Sequence, residues 1–166
     1  MSIHKELLLL RHGKSDWNTE TTDYYRPLNK RGKRNAQQMG EWLVEQELVP
    51  DLIISSPATR ALTTSEIVCE AMGLAINSIE TKKCIYEASV SDLRQVLSQI
   101  PNSIQRLLLV GHNPGFEYLV TDLAPNIPIP NNGNLMPTAT LAYIQLDSQW
   151  SSLLGHSWVQ RPKDLR

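Results

Sequence analysis

Arg11, His12, Arg60 and His112 are the residues of this sequence whose types and spacing could do chemistry together. Each sits just past an apolar run: Leu7 to Leu10 before the first pair, Leu52 to Ile54 before Arg60, and Leu107 to Val110 before His112. Such runs suit strands buried on both faces. In a parallel sheet their carboxyl ends share the edge where ligands sit, so residues about fifty positions apart can meet there. Two guanidiniums can grip a phosphoryl group through bidentate hydrogen bonds, and arginine stays charged at physiological pH. One imidazole can attack phosphorus, and the other can donate a proton to the oxygens as negative charge builds. Gly13 lets the chain turn closely round a ligand.

These groups need elements to position them. Thr19 to Leu28 is polar and reads as a loop across the carboxyl edge of the sheet, able to form one wall of a site. Asn29 is placed to cap a helix in which Ala36, Met39, Leu43, Val44 and Leu48 recur at helical spacing until Pro50. Ser56-Pro57 reads as an N-cap followed by proline at the first helical position, opening a helix to about Met72 with Gly73 as its C′ residue. A short strand is expected around Ala75 to Ile79, and Ser91 is expected to cap a helix that ends at Pro101. Another helix runs through Phe116 and Leu119 to Leu123. Residues 124–137 hold four prolines and four asparagines and read as an irregular loop. Thr138 to Leu146 and Leu153 to Val159 read as an edge hairpin, and the closing R-P-K-D-L-R as a surface tail. The alternation of strand and helix predicts a three-layer α/β/α sandwich with a mostly parallel sheet.

The chain has 166 residues, 41% hydrophobic and 20% charged, with a net charge of -1. That is the size of one ordinary domain, residues 1–166, with a core that needs neither disulfides nor structural metal. The charge balance suggests no nucleic-acid-binding arm, and no apolar run approaches the roughly 18 residues of a membrane span. A soluble, cytoplasmic protein is expected. Cys69 and Cys84 read as packed, reduced thiols. Neither starts a C-x5-R thiolate cradle, because Ala75 and Val90 stand six residues on. In G-H-N-P-G, Asn113 occupies the place of a serine-hydrolase nucleophile, and there is no G-x-x-x-x-G-K-[ST] loop. Clustered carboxylates at strand ends are missing too, so neither a cofactor nor a metal is expected.

R-H-G-K-S-D-W-N, R-P-L-N-K-R-G-K-R-N-A, S-S-P-A-T-R-A-L-T-T-S-E-I and V-G-H-N-P-G together resemble the successive motifs of the histidine phosphatase (phosphoglycerate-mutase-like) superfamily. Four motifs in the right order make a specific signal, where R-H-G alone would be a weak one. The short length, I-Y-E-A-S and the closing R-P-K-D-L resemble the SixA-type phosphohistidine phosphatases within it. The resemblance implies a phosphoglycerate-mutase-like fold and a metal-independent phosphatase whose nucleophile, His12, becomes transiently phosphorylated. It implies that Arg11, Arg60 and His112 bind and stabilise the transferring phosphoryl group. The favoured substrate is phosphohistidine on a protein, such as a histidine-phosphotransfer-type domain. Small phosphomonoesters, or phosphate binding without turnover, are the alternatives. A carbonyl holding the other N–H of His12, that of Gly13, would fix its tautomer.

Other residues carry two readings. Asn18 matches a phosphate-touching position of the family or is a loop-fixing asparagine, and Ser15 is similar. Glu87 stands near the place of the mutases' proton donor or is a solvated loop carboxylate. Phosphohistidine makes the smaller demand on such an acid, because protonated imidazole already leaves well. Lys30, Arg31, Lys33 and Arg34 cluster at a helix start, where the macrodipole disfavours each cation by roughly 0.3 to 1 kcal/mol. They read as a solvated face rather than a steering patch. Trp17 reads as packed beneath the site, and His4 and His156 as structural hydrogen-bonders.

Overall fold

The fold is built on one six-stranded sheet, four of its strands parallel and two antiparallel. The computed structural model describes residues 4–165. In chain order they form β1 (Lys5–Arg11), α1 (Lys30–Glu45), β2 (Leu52–Ser55), α2 (Thr59–Ala71), β3 (Ile79–Thr81), α3 (Val90–Ser98), β4 (Arg106–Gly111), α4 (Gly115–Leu123), β5 (Leu141–Leu146) and β6 (Leu153–Gln160), with short 3-10 turns between. One sheet runs β3-β2-β4-β1-β5-β6. The first four strands are mutually parallel, and β5 and β6 add an antiparallel edge, giving the expected mostly parallel α/β/α sandwich. Among the described residues no helix is long and apolar enough to cross a membrane.

The leucine runs are buried because alternate residues serve opposite layers. Leu8 and Leu10 of β1 pack with Ile53, Leu108 and Val110 against Ala36, Met39 and Leu43 of α1 and Ala61 and Val68 of α2. Leu7 and Leu9 pack with Ile54, Leu107 and Leu109 against Leu93 and Leu97 of α3 and Phe116 and Leu119 of α4. The register brings the strand ends level. Leu10 pairs with Val110, which pairs with Ser55, while Arg11 pairs with Gly111. One step further, His12 N–H donates to the Gly111 carbonyl (3.0 Å) and Ser56 N–H to that of Val110 (2.9 Å), so three chains leave the sheet side by side.

Several local expectations need correction. α2 begins at Thr59 with Ala58 as its cap, not at Pro57, because the backbone is still extended at Ala58 (ψ 139°), although the Ser56 hydroxyl accepts the Ala58 N–H and also meets His112. The cap of α3 is Ser89, which forms a reciprocal capping box with Asp92 two residues earlier than expected. β3 lies at Ile79–Thr81, past the stretch expected. The C-terminal segment is docked: Pro162–Asp164 form a 3-10 turn and Leu165 packs against the α1 layer. Asn29 does cap α1, its side chain accepting from Gly32 N–H (2.8 Å), and Gly73 takes the left-handed conformation (φ 77°) after α2.

The first turn of α1 lies directly against the loop that follows β1. A Cβ at Gly32 would sit 2.2 Å from the Lys14 carbonyl oxygen, and one at Gly13 would sit 2.7 Å from that of Gly32. In an open helix, replacing Gly by Ala stabilises by about 1 kcal/mol. Here Gly32→Ala is expected to destabilise by about 1–3 kcal/mol, because backbone atoms have to move. Urea unfolding checks the sign, and a stabilised variant would contradict the packing.

Candidate active site

β1 ends in Arg11 and hands His12 to the carboxyl edge, where two contacts define its ring. Nδ1 lies 2.7 Å from the Gly13 carbonyl, and Arg60 Nε lies 3.3 Å from Nε2. A carbonyl only accepts and a guanidinium only donates, so the proton belongs on Nδ1 and the lone pair on Nε2. Gly13 N–H donates in turn to Thr64 Oγ1 (3.0 Å), and Thr64 donates to the Arg60 carbonyl (2.7 Å), tying this turn to α2. His12 is buried, and its pKa is pushed down to about 3, by burial first and then by His112, Arg60 and Arg11 against the pull of the Gly13 carbonyl.

His112 follows β4, with its ring centre 5.2 Å from that of His12. Its Nε2 is 2.8 Å from Ser56 Oγ, which also accepts the Ala58 N–H (3.2 Å). Its Nδ1 is buried with no protein partner, as is Arg11 Nε. Burial again dominates in lowering its pKa to about 4, followed by Arg60. Arg11 reaches the Met136 carbonyl with Nη1 (2.9 Å), and Asn113 Nδ2 donates to the same oxygen (3.0 Å). Glu117 Oε1 accepts the Met136 N–H (2.7 Å). The end of the Pro/Asn-rich loop is thereby fastened to the site.

Arg60 stands in the first turn of α2 and is held by Asp23. Its Nη1 donates to the Asp23 carbonyl (2.6 Å) and its Nη2 to the carboxylate (3.0 Å). Tyr86 donates its hydroxyl to that carboxylate, and Arg26 pairs with it at 2.7 Å. Tyr86 above all, then the two guanidiniums, hold the Asp23 carboxyl far below the usual carboxylate range. Asp23 raises the Tyr86 hydroxyl to about 12 in return. Edge-to-face contacts run from Tyr24 to Tyr86 (5.2 Å) and from Tyr86 to His112 (5.4 Å).

The cavity at this edge has a volume of about 410 Å3 and is lined by Asp23, Arg60, Tyr86, Glu87, Ala88, His112, Asn113, Pro114 and Gly115. Arg11, His12, Arg60 and His112 do converge, through the His12–His112 and Arg60–His12 contacts, although Arg11 and His12 lie behind the cavity lining; Glu87 is exposed on that cavity. Glu87 has φ 55°, a left-handed conformation that side chains other than glycine adopt at a cost and that clusters at functional sites. Ser15 and Asn18 are not brought to this cluster. Ser15 is buried and accepts Arg26 Nε–H (3.0 Å), while Asn18 is exposed in a turn, its N–H donating to Asp16 Oδ1 (2.9 Å). Trp17 is not packed beneath the site: it is 71% exposed, with the Arg26 guanidinium 3.7 Å from its ring centre. Asp23, Ser56, Thr64, Asn113 and Glu117 went unnoticed as site-builders in the sequence. Ser56 and Thr64 lie inside the S-S-P-A-T-R-A-L-T-T motif, whereas Asp23 and Glu117 carry no pattern of their own.

A paired imidazole and guanidinium set of this kind can hold a tetrahedral oxyanion beside an uncharged nitrogen nucleophile. Residues 7–120 match the family described as Histidine phosphatase superfamily (branch 1). An uncharacterized chloroplastic protein of Arabidopsis thaliana is 30% identical over 125 residues, 70% of this chain but 57% of its own length, so the chain spans little more than half of that relative. Phosphohistidine phosphatase SixA of Escherichia coli (strain K12) is 26% identical over 97% of this chain and 96% of its own. The solved structure of the protein histidine phosphatase SixA complexed with tungstate superimposes with a TM-score of 0.82 at 24% identity, over 97% of this chain and 99% of that one. The chain belongs to the histidine phosphatase superfamily.

Proposed function

We propose that this protein is a phosphatase that removes the phosphoryl group from phosphohistidine on a protein, passing it through His12. The observation that carries the reading is the fixed tautomer of His12. Its Nε2 carries no proton and accepts only the long Arg60 Nε–H contact (3.3 Å), with the His112 ring centre 5.2 Å from its own. A depressed pKa keeps that nitrogen available at any pH near neutrality. Likeness to SixA, named as a phosphohistidine phosphatase, supports the substrate class, and the tungstate held by a SixA structure is a tetrahedral oxyanion as phosphate is.

In the first step His12 Nε2 forms a bond to phosphorus as the P–N bond of the substrate breaks, and the departing imidazole takes up a proton from solvent. Arg11, Arg60 and His112 stabilise the charge on the equatorial oxygens. A Ser56 hydroxyl donating to His112 Nε2 would leave the proton of His112 on Nδ1, the atom without a protein partner. In the second step water attacks the phosphorus of phospho-His12. The P–N bond breaks, inorganic phosphate leaves and the lone pair returns to Nε2. Asp23 and Tyr86 act through Arg60, holding its plane.

Glu87 on the cavity supports a second reading, a phosphatase for small phosphomonoesters, whose alkoxide leaving groups need a general acid where imidazole does not. Turnover of a phosphohistidine protein beside a panel of sugar and nucleotide phosphates separates the two. His12→Ala is expected to lower turnover by about three orders of magnitude or more and to abolish trapping of an acid-labile phosphoenzyme. Undiminished turnover would remove His12 from the nucleophile role. Glu87→Gln is expected to leave phosphohistidine turnover within about threefold, and a loss of about 100-fold or more on that substrate would contradict the favoured reading.

A further inference from the structure

The segment that walls the cavity also walls a second groove, of about 660 Å3, whose far side is the first turn of α1. Lys14, Lys30, Arg31 and Lys33 line it, and all four are exposed. Among the described residues the ion pairs engage other cations, so none of these four is in a salt bridge. The first turn of α1 contains no acid, and the positive end of the helix dipole adds to their field. Asp16, the acid of the groove, accepts the Asn18 N–H and keeps its charge, so the lining sets four cations against one anion. In a chain of net charge -1 this is a strongly local positive patch. Beside it lies Trp17, a flat and largely exposed ring backed by Arg26, the pairing of residue types enriched at interface centres.

The groove and the cavity share no lining residue, but a short chain of contacts joins their walls. Gly13, between His12 and Lys14, touches Gly32 of α1. Ser15 accepts from Arg26, Arg26 pairs with Asp23, and Asp23 holds Arg60. Asp16, Asp23 and Glu87 around the two openings oppose a continuous polyanion such as nucleic acid. The separate carboxylates of a folded protein can avoid them while meeting the lysines. We infer that this groove is a docking surface for an acidic protein that presents its phosphohistidine to the neighbouring cavity. The inference rests on the function proposed above, and it names what selects the partner. The cations act on encounter and affinity, Arg11, Arg60 and His112 on the phosphoryl group.

The test compares two substrates with the full chain: a strongly acidic histidine-phosphotransfer domain phosphorylated on histidine with phosphoramidate, and the free amino acid phosphohistidine. In the triple variant Lys30→Glu, Arg31→Glu, Lys33→Glu, KM for the domain is expected to rise about tenfold or more with kcat unchanged. Turnover of the free amino acid stays within about twofold, and the salt dependence that the unmodified protein shows between ~50 and ~500 mM NaCl disappears. Acids at a helix start suit its dipole, so the variant should unfold no more readily than the unmodified protein. The neutral set Lys30→Gln, Arg31→Gln, Lys33→Gln should show a smaller shift in the same direction. If the domain is turned over with equal KM by all three proteins, the docking surface is wrong and the function stands. An equal loss on both substrates also overturns it, as does an unchanged KM with loss of binding to a DNA duplex. Failure of the unmodified protein on both phosphohistidine substrates overturns the function, and the docking surface falls with it.

Discussion

Two buried imidazoles lie beside guanidiniums at the wall of an open cavity, and that environment favours their uncharged forms. Burial is the largest influence on both, with the arginines adding to it. The same crowding would scatter the arginines were they not held. Asp23 binds Arg60 through its carbonyl and its carboxylate, and Met136 offers Arg11 a carbonyl. The ionised Asp23 offsets the cations beside the histidines without reaching the nucleophile. Acid attacks this arrangement in a definite sense. The histidine pKa values are lower in the folded chain than in the unfolded one, so the unfolded chain takes up protons first as the pH falls below about 6.5. The stability that the neutral imidazoles confer is full at neutral pH and is lost towards the folded values of about 3 and 4.

What places the charges together is the register of the sheet. Leu10, Val110 and Ser55 stand level in adjacent strands, so His12 and His112 emerge level, two residues on, with Ser56 one residue on, from strands about fifty residues apart. The leucines that anchor that register are buried on both faces and cannot slip by one residue without exchanging layers. Gly32 then lets α1 close against the turn after His12, and Thr64 fastens the same turn to α2. Core and site are one construction: the strands that fill the interior also fix the nucleophile.

Much of this was legible in the sequence, for physical reasons. Buried parallel strands read as unbroken apolar runs, and Arg11, His12 and His112 follow two of them directly. Asn29 and Gly73 were legible because a cap and a left-handed C′ residue restrict residue type. Ser-Pro fits a helix start, and nothing in the sequence shows that the backbone stays extended to Ala58 or that the Ser56 hydroxyl also meets His112. Asp23 and Tyr86 were not legible as partners because two irregular segments 63 residues apart meet there without any periodicity. Trp17 was misplaced because an aromatic is usually packed, whereas here a guanidinium occupies its inner face. The terminal R-P-K-D-L was taken for a tail because one docked leucine leaves no pattern.

The central claim is that the His12 ring is neutral, protonated on Nδ1 and unprotonated on Nε2, throughout the range in which the protein would act. A nitrogen-15 NMR titration of the histidine-labelled protein from pH 8 down to about pH 5 reads both ring nitrogens directly. This account predicts that the Nε2 signal of His12 keeps the position of an unprotonated ring nitrogen, and Nδ1 that of a protonated one, over the whole range. A ring that becomes doubly protonated near pH 6.5, or that carries its proton on Nε2 at neutrality, would contradict it.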